Sequence, residues 1–279
     1  MGVIGHPIAH SLSPQMHNAS FASRRLDYVY VAMDVAPERL GEAVRGLGAL
    51  GFRGFNVTIP HKEEIIRFLD DLDGSAEHTG AVNTVVLEGG RARGYNTDGF
   101  GFLESCREAG VDLAGEQVLI LGAGGAASAI ADAALRAGAE ALVIANRTPR
   151  RAKSLAGRLV AAHPGARVSA CGLETLDGAC GGAGVLVNTT PVGMKDGDPL
   201  PFPEESLRSK VVCDIVYRGG EETPLLETAR RLGARVVRGR RMLLYQGVRA
   251  QRLWTGVEPD VEAMGQALEG EIEDPDSRG

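Results

Sequence analysis

A lysine stands where a helix start favours an acid. The segment GFNVTIPHKEEIIRFLDDLD, which ends at Asp73, reads as a strand, a proline break and a helix, with Lys62 at the helix start. Unpaired amides give that end a partial positive charge, which suits Asp or Glu and opposes a cation. Glu63 and Glu64 obey the rule, and Lys62 in front of them does not. Asp98, in YNTDGFG, precedes another helix and taken alone is a plain N-cap. If the two residues meet, the carboxylate offsets the dipole's repulsion and holds the ammonium. The amine is then placed to exchange a proton with an oxygen undergoing hydride transfer.

Two further clusters could hold a ligand. In HSLSPQMHNASFASRR, Ser11 and Ser13 are two residues apart, so an extended backbone points both hydroxyls the same way. Ser13-Pro14 also reads as an N-cap with proline at the first helical position. Hydroxyls and free amides together suit a carboxylate, although a cap without a ligand uses the same residues. In GFNVTIP, alternation sends Phe55, Val57 and Ile59 to one face and Asn56 and Thr58 to the other, just before Lys62.

The glycine turn in VLILGAGGAASAIADAALRAGA has a strand before it and an Ala-rich helix after it. Gly122-x-Gly124-Gly125-x-Ala127 is a variant of the dinucleotide fingerprint: a tight turn, close backbone approach to a pyrophosphate, and helix amides to hold the anion. A purely structural turn is the alternative, but the required context is met. An NAD site usually ends the next strand with Asp or Glu, which takes the ribose hydroxyls. Here IANRTPRR offers Asn146 and Arg147, with Arg150 and Arg151 beyond. Guanidinium groups bind a 2′-phosphate that a carboxylate would repel, so the cofactor expected is NADP(H), even if some of these arginines are a solvated helix start.

The elements that must position these residues change character near residue 100. Before it, strands and helices alternate: VIG, a helix from Pro14 to about Arg25, DYVYVAMDV, a helix from Pro37 to Leu50, GFNVTI, the Lys62 helix, and a hairpin around Glu88-Gly89-Gly90. DGFGFLESCREAG reads as a helix closed by Gly110. After it come nearly continuous apolar strands, QVLIL, ALVIAN, RVSA, GVLVNT, KVVCDIV and ARVVRG, separated by helices. Such runs suit a parallel sheet covered on both faces. The expected organisation is an α/β first domain over 1–99, rejoined by the stretch from about 240 to 268, and a parallel-sheet domain over 100–239. A frayed polar tail is expected over 269–279.

The 279 residues suit about two domains, and 44% hydrophobic residues, 24% charged and 38 glycines fit a globular α/β protein rich in tight turns. A net charge of −6 gives no reason to expect nucleic acid. No apolar run approaches a membrane span, and MGVIGHPIAHS lacks the marks of a signal peptide, so cytoplasm is expected. The chain opens almost directly on a strand, as one with a clipped start would. Cys106, Cys171, Cys180 and Cys213 form no Cys-x-x-Cys pair and read as free thiols in a reducing compartment. His6, His10, His17, His61, His78 and His163 show no metal-ligand spacing and read as surface or packing residues; no metal is expected.

Taken together, GVIGHPIAHSLSP, FNVTIPHK, GAVNTV, YNTDGFG, GAGGAA, ANRT, NTTPVGM and LLYQG, in that order, resemble shikimate dehydrogenases. The resemblance implies an N-terminal substrate-binding α/β domain, a doubly wound Rossmann-type NADP domain and a cleft between them, with the last helix returning to the first domain. It implies NADPH-dependent reduction of 3-dehydroshikimate to shikimate, a step toward chorismate and the aromatic amino acids; neither nucleic acid nor membrane is expected as a partner, and the chain is expected to be a monomer or homodimer. By that analogy Ser11 and Ser13 take the substrate carboxylate, and Thr58, Asn83, Asp98 and Gln246 hold ring hydroxyls together with Lys62. Lys62 and Asp98 form the catalytic pair. Gly122, Ala123, Gly124, Gly125 and Ala126 match the pyrophosphate turn, and Asn146, Arg147, Thr148 and Arg151 the NADP-selecting loop. Tyr217 and Gly239 line the junction of nicotinamide and substrate, with Ile215 and Met242 close by. A quinate/shikimate dehydrogenase using NAD, an aminoshikimate enzyme and a non-catalytic NADP-binding sensor are the rival readings. The arginines argue against the first, and the retained Lys62 and Asp98 against the last.

Overall fold

The computed structural model describes residues 1–218 and 221–270. Two glycines of the YRGGEETP loop, Gly219 and Gly220, and the expected tail from Glu271 onward lie outside the described residues. The chain divides into two units, Met1–Asp98 with Leu243–Gly279, and Gly99–Met242.

The first unit is built on β1 (Gly2–Gly5), α1 (Ser13–Ser23), β2 (Val31–Asp34), α2 (Leu40–Ala49), β3 (Gly54–Val57), β4 (Asp71–Leu72), α3 (Gly74–Thr79), β5 (Thr84–Glu88) and β6 (Arg91–Tyr95). Its mixed sheet runs β2-β1-β3-β5-β6-β4. β1 pairs in parallel with β2 and β3, and β5 antiparallel with β3 and with β6 across the expected hairpin. One core joins Ile4, Phe55, Val57 and Val85 of the sheet to Leu40, Val44 and Leu47 of α2. A second gathers Val3, Phe21, Tyr30, Ala250 and Trp254. Burying such a side chain is worth ~1.5–3 kcal/mol, so these clusters set the register of every strand beneath them. β4 and α3 escape a reading of periodicity, because two and six residues are too short to show any.

In chain order there follow α4 (Asp98–Glu108), β7 (Gln117–Leu121), α5 (Gly125–Arg136), β8 (Ala141–Ala145), α6 (Pro149–Ala162), β9 (Arg167–Cys171), α7 (Leu176–Gly182), β10 (Val185–Asn188), β11 (Val211–Asp214), α8 (Pro224–Arg231), β12 (Arg235–Arg238), α9 (Gly239–Thr255) and α10 (Val261–Glu269). The six strands of the second unit form one sheet, β12-β11-β10-β7-β8-β9, every pairing parallel. Its central strands are apolar because both faces are covered: Val118, Ile120 and Val187 lie in one core, Leu119, Leu121 and Leu186 in another. Strand order reverses between β7 and β10. That is the switch point of a doubly wound sheet, outside whose carboxyl ends dinucleotides bind. From Leu243 onward α9 belongs to the first unit, where Trp254 Nε1 donates to Val85 O at 2.9 Å.

Candidate active site

Lys62 Nζ stands 2.6 Å from Asp98 Oδ2. The side chains are 19% and 7% exposed, so the pair is sheltered but not sealed. The helix expected at Lys62 is instead a single 3-10 turn, Glu64–Phe68, and Lys62 precedes it. Five residues in a 3-10 turn align too few peptide dipoles to oppose the ammonium strongly. Asp98, rather than a helix end, therefore sets its surroundings. The Lys62 backbone is pinned too: its carbonyl accepts from the Val82 amide at 2.7 Å, and neighbouring His61 is buried with Nε2 2.7 Å from Val35 O.

Asp98, expected as a plain N-cap, is instead the first residue of α4, and its carboxylate turns to other side chains. Its second oxygen, Oδ1, accepts from Asn83 Nδ2 at 2.8 Å. The same amide nitrogen is 3.2 Å from Gln246 Oε1 and 3.0 Å from Thr97 Oγ1. Asn83 Oδ1 accepts from the Thr97 amide at 2.8 Å and from Thr84 Oγ1 at 3.0 Å. Four of the residues expected at a substrate site, Lys62, Asn83, Asp98 and Gln246, thus share one hydrogen-bonded cluster within the first unit. Buried amides satisfied this fully hold one rotamer, because any rotation strands a donor or acceptor at a cost of ~1–3 kcal/mol.

Sequence reasoning missed the layer beneath. Asn56, expected beside Thr58 on a polar face, is buried. Its Nδ2 donates to Asn83 O and Thr84 Oγ1, both at 3.0 Å, and its Oδ1 accepts from Tyr30 Oη at 2.6 Å. Burial holds the Tyr30 phenol well above its ordinary pKa, so it stays a neutral donor. The Tyr30 ring stacks on His17, centroids 4.3 Å apart, and His17 Nδ1 lies 3.2 Å from Gln251 Oε1. Burial pushes the His17 imidazole down to about 4. No sequence spacing could have found these supports, since their partners lie 26 to 234 residues away. The alternation expected through Ile59 holds only to Val57, where β3 ends, and Ile59 is 69% exposed.

The serine pair also differs from expectation. Leu12 between them has φ −83° and ψ −7°, a helical rather than extended conformation, so two-residue alternation does not apply. Ser13 is already the first residue of α1, and no side chain caps that helix. The Ser11 hydroxyl instead accepts weakly from the Ser13 amide at 3.4 Å. Uncapped amides at α1 remain available to an anion. Thr58, half-buried, follows β3.

In the second unit the glycine turn leaves β7 at the switch point. Gly122 has φ +124°, and a Cβ there would come within 2.1 Å of Thr189 Oγ1, itself held by donation to Leu121 O at 2.8 Å. Only glycine fits. Gly124 precedes α5 with nothing within 4 Å of a notional Cβ, and no side chain caps the helix, so the turn has room and its first amides lack a side-chain cap. Ala123, Gly125 and Ala126 are half-buried along the same turn. These features fit a dinucleotide pyrophosphate. After β8, Asn146 Nδ2 donates to Thr148 O at 3.0 Å and shapes its own loop. Arg147, Thr148, Arg150 and Arg151 are exposed at the start of α6, which also lacks a side-chain cap. None of the three arginines pairs with a carboxylate among the described residues, leaving their charge for a phosphate. Ile215 and Tyr217 follow β11, half-buried, while Gly239 begins α9 and Met242 lies in the core. Among the described residues no cluster of His, Cys, Asp and Glu could hold a metal ion.

A parallel sheet with an open glycine turn at its switch point, and a separate unit carrying a sheltered Lys–Asp pair, together define a two-domain nucleotide-dependent dehydrogenase. Residues 3–85 match the family description "Shikimate dehydrogenase substrate binding domain", 104–191 "Shikimate / quinate 5-dehydrogenase" and 239–269 "Shikimate 5'-dehydrogenase C-terminal domain". The shikimate dehydrogenase (NADP(+)) of Rubrobacter xylanophilus is 60% identical over 97% of this chain and 95% of its own. The Thermus thermophilus shikimate 5-dehydrogenase, solved with NADP(H) and shikimate, is 40% identical and superposes with a TM-score of 0.86 over 97% of this chain and 98% of its own. A quinate dehydrogenase from Corynebacterium glutamicum, solved with NAD, is 33% identical with a TM-score of 0.89 over 96% and 97%. The chain belongs to the shikimate dehydrogenase family.

Proposed function

We infer that the chain catalyses the reversible NADPH-dependent reduction of 3-dehydroshikimate to shikimate, in the route to chorismate and the aromatic amino acids. The observation that carries this reading is the Lys62–Asp98 contact of 2.6 Å inside a saturated amide network. Bound NADPH would supply the hydride for the C3 carbonyl. Lys62 would donate a proton from Nζ to the C3 oxygen as negative charge develops there, then regain one from water through its partly exposed side chain. Asp98 would keep the amine oriented and offset its charge before the transfer. Asn83, Gln246 and Thr58 would take ring hydroxyls, and Ser11, Ser13 and the first amides of α1 the substrate carboxylate. Arg147 and Arg151, with Asn146 and Thr148 shaping their loop, would take the 2′-phosphate of NADP.

The quinate reading is favoured by the NAD-bound relative's likeness in fold and opposed by the arginines after β8, where no carboxylate stands to take ribose hydroxyls. Absorbance of reduced cofactor, followed with shikimate, quinate and aminoshikimate against both NADP and NAD, separates the readings. Shikimate with NADP is expected to be fastest. Equal or faster oxidation of quinate with NAD would replace this assignment, and no turnover with any pair would leave a nucleotide-binding sensor. We place the enzyme in the cytoplasm, a reading supported by its four free cysteines and by the absence, among the described residues, of a helix long and apolar enough to cross a membrane.

A further inference from the structure

One buried carboxylate stands outside this scheme. Asp214 ends β11 and is 1% exposed. Its Oδ1 accepts from Asn188 Nδ2 at 2.9 Å and from the Val216 amide at 3.1 Å, and its Oδ2 accepts from Thr223 Oγ1 at 2.7 Å. These donors come from three segments: the end of β10, the residue two past β11, and the N-cap of α8. Val216 and Thr223 lie near the two ends of the connection that follows β11, so a single side chain closes both ends upon itself. The opposite side is equally tight. A Cβ at Gly239 would meet Ile215 O at 2.5 Å and Asp214 O at 2.8 Å, so the start of α9 rests directly on that peptide. Further along, Arg240 Nη2 donates to Arg218 O at 2.5 Å. Tyr217 therefore lies between two fixed backbone points.

A side chain needed only to fill this space would not be a carboxylate. Burial pushes the Asp214 carboxyl up to about 6, against the pull of its three donors, so the arrangement runs against the local cost of charge. What a carboxylate offers is several hydrogen-bonding sites on one short side chain, enough to gather groups from three segments at one point.

We propose that Asp214 is a positioning residue, which fixes Ile215 and Tyr217 against Gly239 and so shapes the nicotinamide end of the cofactor site. This rests on the nucleotide reading given above, and its placement follows from the sheet order: β11 ends beside β10, which flanks the switch point outside whose carboxyl ends a dinucleotide binds. The adenosine end, built from the glycine turn and the arginines after β8, shares no hydrogen bond with this carboxylate.

The test compares NADPH with 2′,5′-ADP, which has the adenosine end alone. Asp214→Ala is expected to weaken kcat/KM for NADPH about tenfold or more while changing the Kd of 2′,5′-ADP less than about twofold. Asp214→Asn, whose amide oxygen can still accept from Val216 and whose NH2 can donate to the Thr223 hydroxyl, is expected to recover most of the loss. Thr223→Val, which removes one bond of the three, should lose about threefold in the same direction and serves if Asp214→Ala does not fold. Equal weakening of both ligands would show a general structural role and overturn the proposal, as would unchanged NADPH kinetics in Asp214→Ala and Thr223→Val. A wild-type chain that binds neither ligand would instead overturn the nucleotide assignment itself.

Discussion

Within the first unit, Asn83 uses both ends of its amide on neighbours, and Asp98 divides its carboxylate oxygens between Lys62 and Asn83. At the glycine turn of the second unit the reverse holds: Gly124 presents backbone amides at an uncapped helix with no side chain near. Under the proposed reading the two solutions follow from their ligands. A small ring with several hydroxyls must be distinguished atom by atom, which needs directional side chains locked in place. A pyrophosphate is a diffuse anion, which a helix start satisfies without any side chain. Single side-chain replacements should accordingly be costly around Lys62 and milder at the glycine turn and in the loop after β8.

Lys62→Ala is the sharpest break. It removes the proposed proton donor and leaves the sheltered Asp98 carboxylate, among the described residues, with Asn83 as its remaining side-chain donor. The scale of general acid–base catalysis predicts a loss in kcat of about 10²- to 10⁴-fold, with KM for NADPH little changed. Steady-state turnover within a few-fold of wild type would remove Lys62 from the chemistry and leave the network a packing device.

The second contrast is in acid. An unfolded chain binds a proton at His17 below the ordinary 6.5, whereas the buried ring refuses it until about 4. Between those values the unfolded state holds more protons, so His17 withdraws stability as pH falls, by about 3 kcal/mol over the whole window. Asp214 acts with the opposite sign. Its folded carboxyl takes a proton near 6 rather than 3.8, so its contribution is complete below 3.8 and is lost as pH rises through 6. Mild acid should therefore loosen the first unit before the second. Hydrogen exchange at pH 4.5, corrected for intrinsic rates, is expected to speed up in α1 and the Leu243–Thr255 part of α9 while β11 stays protected. His17→Phe, which keeps a ring against Tyr30, should flatten that response. Acid-induced exchange that starts in β11 would reverse the order.

The same contrast explains which features are legible in the order of residues. The parallel sheet was legible because a strand buried on both faces must be apolar throughout, as in QVLIL and GVLVNT. The glycine turn was legible because Gly122 has a positive φ and a close neighbour, constraints that leave a single residue type. The amide network was not. Nothing in the order of residues shows that Tyr30 reaches Asn56, or that Gln251 meets His17, since each contact depends on how β3 and α9 pack. Local conformation misled in two places. Ser11 and Ser13 look extended but turn at Leu12, and the Lys62 segment has a helical composition yet forms one 3-10 turn after a proline break.

A milder effect than that of Lys62→Ala is expected in the second unit, where under the proposed reading an exposed side chain adds selectivity to a site that backbone already builds. Arg147 sits at the start of α6 with no carboxylate partner among the described residues, so removing it breaks nothing in the fold. Arg147→Ala should raise KM for NADP about tenfold, the value of one charge-assisted contact at a site where Arg151 remains. Use of NAD, which has no 2′-phosphate to lose, should hardly move. Raising salt should narrow the gap between mutant and wild type, because an exposed contact of this kind is screened. If Arg147→Ala weakens NAD and NADP alike, the arginine is holding the loop rather than reading the phosphate. The second unit would then depend on its side chains as heavily as the first.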